Sequence, residues 1–147
     1  MIALVLIALT VAAPELSEEG RARIAKDIAE ASPDLDTAIM LVATGEAESG
    51  FRESIEHCHC GLGECDGGHS FGLYQLQGHW LFGHSAAEVC NDNALSTRLA
   101  ARTLGILRSR TGSPEGTFVR YVGARTVKDP HVAGRLRRYR ELWAALP

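Results

Sequence analysis

The chain is 147 residues long, 46% hydrophobic and 22% charged, with a formal net charge of −3. That length suits one domain that buries its own core, so no metal or cofactor is expected to hold it together. A slightly acidic chain without a basic block lacks the footprint of a nucleic-acid binder, and no run reaches the roughly 20 apolar residues of a membrane span.

The first element is a nearly uninterrupted apolar run from Ile2 to Ala13. Its length fits the hydrophobic region of an export signal, with the small residues Ala12 and Ala13 as a cleavage site. The usual basic flank is absent and Pro14 follows directly, so a buried N-terminal helix is the rival reading. Residues 1–13 are therefore expected as a signal peptide, residues 14–147 as the working domain, and the periplasm or cell exterior as its location.

After Pro14, Ser17 is placed to cap a helix that carries Ile24 and Ile28, with Glu18 and Glu19 at its positive end. Ser32-Pro33 ends it. A second helix starts near Asp34 and is apolar almost all round from Ala38 to Ala43, the pattern of a central helix. Gly45 and Gly50 weaken the helical preference around Glu46, Glu48 and Ser49. The stretch from Glu53 to Ser70, rich in Gly, Cys and His, has no helical period and accommodates a short hairpin at most.

Ser85 and Glu88 form a capping-box pattern for a short helix holding Val89 and Cys90. A longer helix is expected from Asn93 to Arg110, with Leu95, Leu99, Ile106 and Leu107 inward and Gly112 as its stop. Ser113-Pro114-Glu115 starts another, which buries Phe118, Tyr121 and Val122. Asp129-Pro130 starts the last, where Val132, Leu136, Tyr139 and Trp143 recur at helical spacing. Arg135, Arg137, Arg138 and Arg140 on that helix read as a solvated face. The histidines, His57, His59, His69, His79, His84 and His131, pair with no recognisable nucleophile; His69 is the one placed to touch a ligand.

Four cysteines, Cys58, Cys60, Cys65 and Cys90, make an even count. In an exported protein they imply two disulfides. Cys58 and Cys60 are too close to pair comfortably, so one is expected with Cys65 and the other with Cys90. The rival is a zinc site drawn from His57, Cys58, His59, Cys60, Cys65 and His69, in an intracellular domain. Its ligand types are right, but no clean pair of metal-binding clips is present.

Glu48-Ser49-Gly50-Phe51, at the end of an apolar helix, resembles the E-S-x-F signature of the lysozyme-like lytic transglycosylases. Gly72-Leu73-Tyr74-Gln75 resembles their G-L-M-Q segment, with Tyr74 in the place of Met. From Asp66 to Gln75 the chain is similar to the D-x-G-x-x-F-G-L-M-Q run of goose-type lysozymes. Arg120-Tyr121-Val122-Gly123 loosely resembles the A-Y-N-A-G segment, with Val122 in the place of Asn.

The resemblance implies a mainly α, lysozyme-like (α+β) domain with a small irregular or β-hairpin region after the catalytic helix. It implies an enzyme that cuts the MurNAc–GlcNAc β-1,4 bond of peptidoglycan strands and works as a monomer. Glu48 is then the general acid, set where an apolar helix meets a cleft. Ser49, Gly72, Leu73, Tyr74, Gln75 and Tyr121 are then substrate-binding, Gln75 through its amide and Tyr121 through a bond to the acid. Ordinary core is the rival reading for Leu73 and Tyr74, and for Tyr74 the two readings stand level.

Asp66 decides the reaction type. It stands where goose-type lysozymes carry a water-activating aspartate, while their second aspartate falls on Gln77. An inverting hydrolase needs such a base roughly 6.5–9.5 Å from the acid. A lytic transglycosylase does not, because the muramyl 6-hydroxyl closes an anhydro ring. Lysozyme-type hydrolysis is the first expectation and transglycosylation the alternative. A non-catalytic binder of peptidoglycan or chitin is the third.

Overall fold

A computed structural model of the chain describes residues 1–59 and 69–147; Cys60, Cys65 and Asp66, with the expectations placed on them, lie outside the described residues. The described chain is mainly helical. Helices α1 (Ile2–Ala12), α2 (Glu18–Ala31), α3 (Leu35–Ser49) and the short α4 (Glu53–Glu56) come first. A two-residue hairpin, β1 (Ser70–Phe71) and β2 (Leu76–Gln77), leads into a 3-10 turn over Gly78–Leu81. Then follow α5 (Ala86–Asn91), α6 (Asn93–Thr111), α7 (Pro114–Val122) and α8 (Pro130–Ala145).

Capping chemistry sets most of these boundaries. Ser17 accepts a bond from the Gly20 amide at the start of α2, and Asp34 does the same for Thr37 at the start of α3. Ser85 and Glu88 close a full capping box on α5. Ser113 and Asp129 accept from the first-turn amides of α7 and α8, each with proline at the first helical position. These side chains satisfy amides that have no partner inside the helix.

Helix α3 is the axis of the domain. Every residue from Ala38 to Gly45 is buried, and the helix packs against α1, α2, α6 and α8. Gly45, read as a weak point, is continuous helix. A Cβ there would come within 2.6 Å of the Phe51 ring, so the glycine makes room for Phe51 as the chain turns back. Gly50, with φ of 58°, ends the helix in the left-handed conformation that glycine adopts without strain.

The apolar N-terminal run is helix α1, and Val5, Ala8 and Leu9 have no exposed surface. It lies against α2, α3 and α8. The inner face of α1 is thus covered by the rest of the chain. Its outer side leaves Met1, Ile2, Ile7 and Val11 exposed. No helix among the described residues is long and apolar enough to cross a membrane.

Helix α8 corrects one expectation. Val132 and Leu136 are buried as its period requires, but its arginines are not one solvated face. Arg137 and Arg140 point outward, whereas Arg135 is 5% exposed and Arg138 is half-buried. Arg138 meets Glu46 with Nε and Nη2 at 2.6 and 2.5 Å, a fork-on-carboxylate contact. The next residue, Tyr139, donates to Asp36, which also pairs with Arg108 at 3.3 Å. Acids on a buried helix need charged or hydrogen-bonding partners, and α8 supplies them.

Two outcomes follow from this packing. Leu9→Ala should cost about 2–5 kcal/mol in urea unfolding, whereas Ile7→Ala, on the exposed side of α1, should change the midpoint little. Burial, and then the Asp36 bond, push Tyr139 up to about 12. The folded state therefore holds this proton more tightly than the unfolded chain does. Its contribution is whole below the ordinary tyrosine range and fades as pH rises through about 12. Tyr139→Phe should flatten that part of the alkaline stability curve.

Candidate active site

Glu48 sits one residue before the end of α3 and opens onto a cavity of about 450 Å³. The hairpin contributes Ser70, Gln75, Leu76 and Gln77 to its walls, and the 3-10 turn contributes Trp80. Tyr121 and Val122 come from α7, and His131 and Arg135 from α8. Segments far apart in the chain, Glu48, Gln75 and Tyr121 among them, thus converge on one opening.

The carboxylate of Glu48 is in contact with the Arg135 guanidinium, with Nη2 2.5 Å from Oε1. Arg135 also donates through Nη1 to the His131 carbonyl at 2.9 Å. The desolvation argument therefore describes only part of the setting. The side chain of Glu48 is 20% exposed and lies against this cation. A general acid must carry its proton when the leaving group departs, so the Arg135 contact bears directly on that role.

Tyr121 lies within electrostatic reach of Glu48, but its hydroxyl donates elsewhere, to the Tyr74 carbonyl at 2.9 Å. Burial first, and then the Glu48 charge, push its proton affinity well above that of an ordinary tyrosine. The phenol therefore stays protonated, and its one hydrogen ties α7 to the hairpin turn. The expectation that it bonds the acid is replaced by that tie.

Gln75 is on the cavity wall in the left-handed conformation, with φ of 47°. A non-glycine residue holds that conformation only when its surroundings enforce it. Its backbone amide and its side-chain Nε2 both donate to the Gly72 carbonyl, at 3.0 and 2.9 Å. This double tie orients the side chain and leaves its amide oxygen and the second Nε2 hydrogen to offer a ligand.

Four residues expected to bind substrate are core residues instead. Ser49 is 1% exposed, and its hydroxyl joins the Gly45 carbonyl to the Phe51 amide. Leu73 and Tyr74 are 1% and 0% exposed, because the turn drives both side chains inward against the helices. Gly72 is required for packing rather than for approach to a sugar. It has φ of 69°, and a Cβ there would come within 2.7 Å of Ser96 Oγ and 3.1 Å of Val89.

Cys58 is disulfide-bonded to Cys90, joining the end of α4 to α5. This is one of the pairings expected, and it removes Cys58 from any zinc ligand set. The Gly72 amide donates to Cys58 Sγ at 3.3 Å, and His57 Nδ1 is 3.0 Å from the Cys90 carbonyl. The bridge is thus connected to the turn that presents Gln75. Among the described residues no cluster of three or more His, Cys, Asp or Glu is placed to hold a metal ion.

No family model, no curated protein and no solved structure matches this chain.

Sequence reasoning missed Arg135, Trp80 and His131 at this cavity. Trp80 was detectable as a half-exposed aromatic just after the glutamine segment, because a ring at a cleft suits the apolar face of a sugar. Arg135 carried no such signal, since helical arginines are usually solvated. For the disulfide, replacing Cys58 and Cys90 together by serine should cost about 2–4 kcal/mol. Thermal or denaturant unfolding of the double variant measures it.

Proposed function

We propose that the protein is a peptidoglycan-cleaving glycosidase acting on the MurNAc–GlcNAc β-1,4 bond, with Glu48 as general acid. The observation that carries this reading is the position of Glu48, delivered by a buried helix to a cavity whose other walls include Gln75, Trp80 and Tyr121. Breaking a glycosidic bond requires a proton on a poor leaving-group oxygen, which a positioned carboxylic acid supplies. Trp80 offers a ring face to a sugar and Gln75 an amide to its N-acetyl or hydroxyl groups. The E-S-x-F and G-L-M-Q-like segments agree with the same chemistry.

In this reading Asp66 activates the attacking water, giving lysozyme-type hydrolysis. A lytic transglycosylase is the second reading, favoured by Gln77. That residue lies on the cavity wall and carries an amide where goose-type lysozymes carry an aspartate. Export to an oxidising compartment is part of the proposal, supported by the Cys58–Cys90 bridge.

Glu48→Gln leaves the buried Arg135 guanidinium facing a neutral amide, so it should still fold but with a lowered thermal midpoint, and it should lower cell-wall cleavage by a factor of about 100 or more. A variant that folds and still turns over at the original rate removes Glu48 from the mechanism. A wild-type protein that binds strands without cutting them makes this a binding scaffold.

A further inference from the structure

Arg135 is the cavity residue that simple acid catalysis does not require. A guanidinium held against the acid opposes the protonated state that the reaction needs. It is nevertheless buried, at 5% exposure, so its charge needs a carboxylate partner at all times. Its Nη groups are engaged by Glu48 and the His131 carbonyl, while Nε is buried with no partner among the described residues. The α8 wall, with His131 and Arg135, is thus the basic side of a cavity whose carboxylate, among the described residues, is Glu48.

A buried guanidinium with one carboxylate already on it is a site where a second carboxylate can take over. The exchange leaves the arginine paired throughout, so it avoids the penalty of an uncompensated buried charge. It also brings two acidic groups to one cation, an arrangement in which one of them is favoured to hold a proton. The proton would come from solvent and reside on Glu48, which is the state the general acid must reach. Arrival of an anionic ligand would then convert the resting ion pair into the working acid.

We propose that Arg135 receives the free lactyl carboxylate of a muramic acid residue, so that the preferred substrate is a glycan strand stripped of its stem peptides. This rests on the glycosidase reading and narrows its substrate class. In a stem-bearing strand the lactyl group is an amide, which is neutral and has no charge with which to displace Glu48. A strand made only of N-acetylglucosamine has no lactyl group at all. The reaction that supplies this substrate is therefore hydrolysis of the amide between the lactyl group and the peptide. Arginine, with its fork of donors, suits a carboxylate better than lysine does.

Monosaccharide probes separate recognition from cleavage, because they contain no glycosidic bond. Wild-type protein should bind N-acetylmuramic acid roughly tenfold more tightly than its lactyl amide or N-acetylglucosamine, as a charge-assisted contact implies. Nuclear magnetic resonance titration reads the difference. Arg135→Gln should erase the preference and Arg135→Lys should keep part of it. If Arg135→Gln fails to fold, the comparison of acid with amide on wild-type protein still decides the matter.

Equal binding of acid and amide, or no saturable binding of the acid, overturns the proposal. So does a wild-type enzyme that cuts stem-bearing strands as fast as stem-free ones. The glycosidase reading fails separately, if the acid is preferred but wild-type protein releases no fragments from stem-free strands.

Discussion

The structure depends on how one buried helix accommodates its acids. Helix α3 is apolar along most of its length and packed on every side, yet it carries Asp36, Glu46 and Glu48. Helix α8 meets all three, through Tyr139, Arg138 and Arg135 in that order. Asp36 and Glu46 stand far apart on α3 while their partners are neighbours on α8, so side chains from one short stretch of α8 spread out to reach both acids. Removing Arg135 or Glu48 alone would leave the other as an unmatched, largely buried charge, at a cost well above that of a lost surface ion pair. The same contact holds Glu48 at the cavity mouth.

The opposite wall is held by smaller devices. Gly72 allows the hairpin turn to press against Val89 and Ser96, and its amide bonds to the sulfur of the Cys58–Cys90 bridge. Tyr121 reaches across from α7 to the Tyr74 carbonyl. Gln75 is fixed between these anchors with its side chain tied to the turn. Each anchor acts on backbone and leaves the cavity-facing atoms to the ligand. A wall built this way keeps its donors and acceptors in place before a ligand arrives, which lowers the ordering cost of binding.

Much of this was legible in the sequence, for identifiable reasons. Helix starts were announced by Ser17, Asp34, Ser85, Ser113 and Asp129, because capping is local chemistry. The apolar run from Ala38 to Ala43 marked the central helix, and Glu48 stood out as an acid at its end. Ser49, Leu73 and Tyr74 were misplaced because a motif conveys spacing, while the direction of a side chain depends on packing. Arg135 was illegible for a deeper reason. Its burial depends on an acid 87 residues earlier in the chain, and no local pattern encodes such a pairing. The Cys58–Cys90 bridge spans 32 residues and was foreseen only as one of several pairings.

The most direct test of the account is the mass spectrum of fragments released from purified peptidoglycan strands by wild-type protein. The account predicts soluble fragments that end on muramic acid, either with a free reducing end or lighter by one water as an anhydro ring. The first result is the hydrolysis favoured here, and the second is transglycosylation by the same acid. Intact strands, or fragments that end on N-acetylglucosamine, would contradict it.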